Sequence, residues 1–363
     1  MNFKDSSDDL RQKVWDGRRI DVSEALDLYT LPLSELGALA DRRRRLARAT
    51  AYEGRGNEIV TYIVDRNINY TNVCDVRCQF CAFYRQAGDA DAYVITRADL
   101  DRKIEETLAL GGTQILLQGG HHPGLSLTWY LDLLAHIREK FPAINIHGFG
   151  PSEFVHFQKL FQRPLEEILR RFREAGLGSI PGGGAEILVD RIRRRVSPRK
   201  ATSDEWMQVM DTAHRLGMST TATMMFGHVE TVAERLEHLE RVRAQQDRTG
   251  GFTAFIGWTF QAQNTRLQTP TVGAHEYLRM QALSRVYLDN FASVQSSWVT
   301  QGPEVGQVAL RFGANDLGSV MLEENVVAQA GATYRMSVAD MRRLIRDMGY
   351  EPRQRDLWYR LVA

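Results

Sequence analysis

Residues 59–84 read IVTYIVDRNINYTNVCDVRCQFCAFY. The first half is β-rich, which predicts a strand. The second half holds all three cysteines of the chain, Cys74, Cys78 and Cys81, so a reactive loop follows the C-terminal end of a first strand. An odd cysteine count closes no disulfide framework, and thiolate chemistry in a reducing compartment is the natural expectation. Structural zinc takes four ligands, and no histidine or fourth cysteine stands near these three. Soft thiolates also suit an iron–sulfur cluster, in which three cysteines on a four-iron cubane leave one iron open to a non-protein ligand. Structural zinc and fortuitously buried cysteines are the alternatives.

Outward from the loop, Thr96 and Asp99 form a capping pattern ahead of Leu100, Ile104 and Leu108, and Gly111-Gly112 stops the helix. A second strand is expected at 114–117. The alternation then repeats with short connections, with strands at 144–147, 178–180, 220–226 and 253–260, and this predicts a parallel α/β sheet. Units with strands at 294–298 and 317–321 would bring the count to eight. The expected fold is therefore a TIM-like (β/α) barrel, either a partial (β/α)6 form with appendages or one extended to (β/α)8. Residues 1–50 read as an N-terminal helical extension with Val22, Leu26, Leu36, Leu39 and Leu46 on one apolar face. Residues 51–321 are the barrel. Residues 322–363 read as a C-terminal helical segment packed on it, with Met341, Leu344, Ile345 and Met348 buried between a Ser337/Asp340 cap and a stop at Gly349.

The chain has 363 residues, 43% of them hydrophobic, and a formal net charge of +1. It can bury a large core, and its charge implies neither a nucleic acid nor a membrane surface as partner. No apolar run approaches a membrane span and MNFKDSSDDL lacks the apolar centre of a signal peptide, so a soluble, cytoplasmic protein is expected. Arginines cluster at 42–45 and at 191–195, and without interleaved aromatic residues they read as solvated helix faces rather than a nucleic-acid patch.

In such barrels the loops after the strands carry the chemistry. Gln118-Gly119-Gly120-His121-His122-Pro123 follows the second strand, and paired glycines either admit a ligand to the backbone or make a plain tight turn. SIPGGGAEIL, 179–188, places three glycines before Glu186, which is a ligand acid or a helix-start glutamate. It lacks the spacing of a dinucleotide loop. Met225 and Phe226 end the fifth strand and are cofactor contacts or core. Asn315 and Asp316 could face substrate, whereas His147, His156 and His228 read as structural.

The spacing C-x3-C-x2-C, with Phe80 before the last cysteine, resembles the signature of the radical S-adenosylmethionine enzymes. That resemblance implies a 4Fe-4S cluster on Cys74, Cys78 and Cys81, whose open iron chelates the methionine part of S-adenosylmethionine. It also implies a one-electron cleavage of the sulfonium to a 5'-deoxyadenosyl radical. By the same resemblance Phe80, Gln118, Gly119, Gly120, Glu186, Met225 and Phe226 bind the cofactor, Glu186 through the ribose hydroxyls. His121 stands where the family has an acid, which leaves backbone carbonyls to receive the amino group.

From about Ile59 to Tyr334 the chain resembles the subgroup that makes menaquinone by the futalosine route and the deazaflavin of coenzyme F420. The segments that carry the likeness are NYTNVCDVRCQFCAFYR, LLQGGHHPGL, IHGFGPSEF, AGLGSIPGGGAEIL and TTATMMFGHVET. Within the subgroup it is most similar to the cyclic dehypoxanthine futalosine synthases; aminofutalosine synthase and deazaflavin synthase are the neighbouring readings. The implied substrate is dehypoxanthine futalosine, which loses its ribose C4' hydrogen, adds the carbon radical to its benzoate ring and ends as a spiro product. A one-electron donor such as flavodoxin or ferredoxin is implied as partner. A reading of another class, an iron–sulfur electron carrier or structural cluster protein, explains the cysteines but not the glycine-rich strand ends.

Overall fold

The computed structural model describes residues 6–362. The ends of the two terminal segments, residues 1–5 and 363, lie outside the described residues, as does the first half of MNFKDSSDDL. Ten strands, β1 (Ile59–Ile63), β2 (Asp65–Asn69), β3 (Gln114–Gln118), β4 (Asn145–Gly148), β5 (Ser179–Ile180), β6 (Ser219–Phe226), β7 (Phe252–Thr259), β8 (Val294–Gln295), β9 (Asp316–Ser319) and β10 (Glu351–Gln354), form one sheet in which every pairing is parallel. Helices fill the crossovers, as parallel pairing requires.

Only Val64 separates β1 from β2, so the first strand of the sequence is nearly continuous over 59–69. Its upper half pairs with β3 from Asp65↔Gln114 to Asn69↔Gln118, and its lower half pairs with β9 at Thr61↔Asp316 and Ile63↔Ser319. Backbone bonds from Val320 N to Ile63 O (2.9 Å) and Leu322 N to Asp65 O (3.2 Å) carry the ladder on. The sheet therefore curls back towards its starting strand, a partial TIM-like (β/α) barrel extended from six units towards eight.

Strand 59–69 also shows why this barrel encloses a site. Side chains alternate along a strand, so Tyr62, Val64 and Ile68 enter the outer hydrophobic layer while Ile63, Asp65, Asn67 and Asn69 point into the lumen. The same parity puts Gln114, Leu116 and Gln118 of β3 and Thr221, Thr223 and Met225 of β6 inside. A barrel interior is ordinarily filled with branched apolar side chains; here Asp65, Asn67, Asn69, Gln114 and Gln118 stand among apolar neighbours such as Ile63, Leu116 and Met225.

Several expectations need correction. In the helix Val22–Tyr29 the buried residues are Ala25 and Leu28, while Val22, Leu26 and, further on, Leu46 are exposed. Arg43, Arg44 and Arg193 are buried rather than solvated. Arg44 pairs with the Asp41 carboxylate at 2.9 Å, Arg43 donates to Arg18 O, and Arg193 donates to the carbonyls of Ala185 and Ala201, so Arg43 and Arg193 tie backbone together. Asn315 and Asp316 face no substrate: Asn315 accepts from Arg285 (2.6 Å), and Asp316 holds Arg355 through two bonds of 2.8 and 2.9 Å at the opposite end of the barrel from the cysteines. After the helix Val338–Asp347, which buries Met341, Leu344 and Ile345, the chain enters the sheet as β10 beside β1. Residues 355–359 then cross the N-terminal end of the barrel, with Arg355 bound to Asp316 of β9 and Trp358 Nε1 donating to Ser219 Oγ of β6. This tail is the floor of the lumen.

Candidate active site

Cys74, Cys78 and Cys81 are free and line the rim of a cavity of about 430 Å³ that continues down the lumen. Their loop is held from three sides. Cys74 N donates to Arg85 O (3.0 Å), and Gln79 N donates to Val196 O (2.8 Å) at the end of the helix Asp190–Val196. Arg266 N and Leu267 N both donate to Gln79 O. Arg77, between the first two cysteines, takes a left-handed φ of +55°, a conformation that a non-glycine residue holds only where its surroundings enforce it. Burial pushes the Cys78 thiol up to about 12 and the Cys74 thiol upward as well. As bare thiols they stay neutral; coordination to a metal is what would deprotonate them.

The end of β3 reaches this loop because it has no side chain there. A Cβ on Gly120 would lie 2.1 Å from Val73 O and 2.8 Å from Cys74 Cβ, and one on Gly119 would lie 2.5 Å from the Tyr70 ring. The glycine pair lets the strand end seat against the cysteine loop, with Gly120 N donating to Thr71 O at 2.9 Å. Gln118, Gly119 and Gly120 all line the cavity.

A carboxylate reaches the Gly119-Gly120 pair from the next unit. Glu153, in the first turn of the helix Pro151–Phe161 that follows β4, accepts from Tyr70 Oη (2.7 Å), Gly119 N (3.3 Å) and Gly150 N (2.7 Å). It lines the cavity, and burial pushes its carboxyl up to about 7 against these three neutral donors. Its sequence signal was GPSEF directly after a strand.

Glu186 lies in the cavity wall, 6% exposed, with a left-handed φ of +42°. No helix begins there, since the next starts at Asp190. Its carboxylate meets two cations, Lys200 Nζ at 2.9 Å and Arg193 Nη1 at 3.5 Å. Lys200 in turn lies 5.4 Å from the centre of the Phe80 ring, and its charge opposes the desolvation of Cys78. Nothing in the sequence around Ser197-Pro198-Arg199-Lys200 marks that role.

Strand parity splits the pair at the end of β6. Met225 lines the cavity, whereas Phe226 turns into the outer core beneath Arg235, 5.1 Å from its ring centre, and touches no part of the cavity. Phe226 is therefore removed from the cofactor contacts. His147 lines the lumen with Nδ1 2.8 Å from Ser179 Oγ, and burial lowers it to about 3, so it is neutral. Also missed were Asn67, Asn69, Thr221 and Thr223 on the lumen wall and Glu324, which accepts from Asn67 Nδ2 at 3.0 Å. DRNIN, polar at every second position of a strand that must be buried, was the available signal.

These residues fit an iron–sulfur cluster with one open position. The donors are three thiols at one cavity rim, no further cysteine exists, and a lysine stands close enough to offset thiolate charge. Zinc would lack its fourth protein ligand at this rim.

Residues 68–242 match the model of the radical SAM superfamily, and residues 249–362 that of the CofH/MqnC C-terminal region. The chain is 49% identical over 351 residues to the cyclic dehypoxanthine futalosine synthase of Streptomyces coelicolor, covering 94% of this chain and 86% of that protein. It is 43% identical over 359 residues to the protein of the same name from Halalkalibacterium halodurans, covering 98% and 95%. Among solved structures, methylornithine synthase (PylB) superposes with a TM-score of 0.71 over 94% of this chain and 97% of that one, at 17% identity, a likeness of fold. By its matched regions and by these full-length relatives, the chain belongs to the radical SAM superfamily and, within it, to the family of the cyclic dehypoxanthine futalosine synthases.

Proposed function

We propose that this protein cyclises dehypoxanthine futalosine to cyclic dehypoxanthine futalosine, a step of menaquinone biosynthesis, by radical S-adenosylmethionine chemistry. The observation that carries the reading is one continuous cavity with three free cysteines at its rim, glycine-bearing strand ends beside them and a barrel lumen beneath in which asparagines and threonines are set among apolar side chains. Cys74, Cys78 and Cys81 hold a 4Fe-4S cluster. When bound, the cluster and S-adenosylmethionine supply the 5'-deoxyadenosyl radical that removes the C4' hydrogen of the substrate ribose.

The chain's own task is to bind, orient and exclude. The backbone at Gln118, Gly119 and Gly120, with Glu153 fixed beside Gly119, receives the cofactor's ammonium group. Glu186 accepts from its ribose hydroxyls while remaining paired with Lys200, and Phe80 and Met225 cover its less polar parts. Asn67, Asn69, Thr221 and Thr223 offer the substrate neutral hydrogen-bond partners without a readily abstracted thiol or a further charge. The tail at 355–359 closes the floor and keeps bulk water from entering there. A flavodoxin- or ferredoxin-type donor delivers the electron, and the protein works in the cytoplasm; among the described residues no helix is long and apolar enough to cross a membrane.

The test is mass spectrometry of anaerobic reactions with reconstituted protein, S-adenosylmethionine, a reductant and dehypoxanthine futalosine. The expected result is 5'-deoxyadenosine together with a product lighter than the substrate by two hydrogens. Product from tyrosine, or from the enolpyruvyl ether of 3-hydroxybenzoate, would place the chain in a sister family. Absence of 5'-deoxyadenosine would leave only an electron carrier.

A further inference from the structure

A second, smaller cavity of about 360 Å³ lies behind the cysteine loop, walled by Asp75, His121, Ser152, His156, Lys159 and Arg199. Three of these residues come from three different elements: Asp75 from the cysteine loop, His121 from the end of β3, and His156 from the helix Pro151–Phe161. One ligand atom from each, two imidazole nitrogens and a carboxylate oxygen, lie within 4.8 Å of one another. We propose that Asp75, His121 and His156 form a site for one divalent transition-metal ion of the zinc type, next to the cysteine site but with none of its thiols as donors.

Two independent features point to a ligand. His156 Nε2 lies 3.1 Å from His122 O, which fixes the ring and leaves Nδ1 for coordination. A backbone carbonyl on one nitrogen is the usual outer partner of a metal-bound imidazole. His121 is 92% buried, its ring makes no hydrogen bond among the described residues, and its centre lies 5.0 Å from that of His156. His121 lines the cavity, so an ion that enters it can reach the ring. The donor set, two histidines and one carboxylate with room for water, is that of open zinc and related divalent sites. Metal–ligand bonds of about 2.0–2.2 Å bring ligand atoms closer than 4.8 Å, and Asp75, which is exposed, has the freedom to close the gap. Lys159 on the cavity wall is paired with Glu205 at 3.1 Å. Arg199 is engaged on Asp75 O at 3.3 Å.

An ion there would tie the residue after Cys74 to β3 and to the helix Pro151–Phe161, clamping the cysteine loop from its outer side. The test uses cluster-loaded protein without an affinity tag, treated with a weak chelator and titrated anaerobically with Zn²⁺ by calorimetry, with metal analysis after gel filtration. The expected result is one zinc per chain beyond the cluster iron. His156→Gln and Asp75→Asn, assayed separately so that one unstable variant does not decide the matter, should each weaken zinc binding at least tenfold with iron content unchanged. Failure of the parent protein to retain zinc, or unchanged affinity in both variants, overturns the proposal.

Discussion

Two carboxylates reach the same cavity, Glu153 from the helix after β4, beside the end of β3, and Glu186 from the loop after β5, and both side chains are almost wholly buried. Their surroundings differ in kind. Glu153 meets a phenol and two backbone amides, all neutral, and its carboxyl rises to about 7. Glu186 meets the ammonium of Lys200 and the guanidinium of Arg193. Neutral donors let a buried acid hold or release a proton near neutral pH. In a site that receives a cationic cofactor, the first arrangement suits an ammonium that brings its own positive charge. The second holds its acceptor oxygens in place between two cations, which suits neutral hydroxyls.

The comparison has meaning only if the cysteines hold their cluster, and that gives the largest effect. Cys78→Ala should abolish 5'-deoxyadenosine formation and lower bound iron below the roughly four atoms of a cubane, because each thiolate holds one iron. Glu153→Gln and Glu186→Gln proteins should keep that iron. Full turnover by Cys78→Ala would remove the cofactor, and with it any reason to contrast the two acids.

The next test sharpens the contrast through pH. A carboxyl whose folded value is raised from 4.5 to about 7 binds a proton more readily in the folded chain than in the unfolded one. The stability it contributes is fully present below about pH 4.5 and is lost as pH rises through about 7. The full loss corresponds to at most about 3 kcal/mol. Denaturant unfolding of the cluster-loaded protein should therefore weaken across this window, and Glu153→Gln should flatten that part of the profile. An unaltered pH slope in the variant would mean that another group carries the dependence. Saturating S-adenosylmethionine should also flatten it if the ammonium comes to rest beside Glu153, since a neighbouring cation returns the carboxyl toward its ordinary value.

How far the sequence could go is visible in these same residues. Cysteine spacing, the glycine pair and the strand–helix alternation are local patterns, and each lies where expected. Which side of a strand a residue faces is a parity question that one register decides, and this separated Met225 from Phe226 although both end the same apolar run. Contacts between distant segments left no local trace. Tyr70 and Glu153 are 83 positions apart, and the Arg355–Asp316 pair that floors the barrel spans 39. Lys200 follows an arginine-rich helix whose composition suggests a solvated surface, yet its ammonium is buried against Glu186. The buried arginines failed for the same reason: a helical face of like charges reads as exposed unless the carbonyls it will serve are known.

The smallest predicted effect falls on Glu186, where the role depends on charge alone. The carboxylate stands at a strand end after three glycines, in the cavity wall, with Lys200 on one oxygen and Arg193 more distantly on the other. Lone pairs remain on both oxygens for two vicinal ribose hydroxyls, and charge-assisted bonds of that kind are worth roughly 1.5–3 kcal/mol each when desolvated. Glu186→Gln keeps the size and one acceptor oxygen but turns the other into a donor facing a cation. S-adenosylmethionine binding should weaken about tenfold or more, about 1.4 kcal/mol, with cluster iron unchanged. Part of the loss could come from an unpaired Lys200 rather than from the missing ribose contact, because breaking a buried pair strands the partner. Lys200→Met combined with Glu186→Gln separates the two: if the ribose contact matters, the double variant still binds the cofactor weakly, and if the stranded lysine was the cause, affinity recovers. Isothermal titration of the parent, single and double variants decides it, and equal affinity in parent and Glu186→Gln would leave Glu153 as the cavity's working carboxylate.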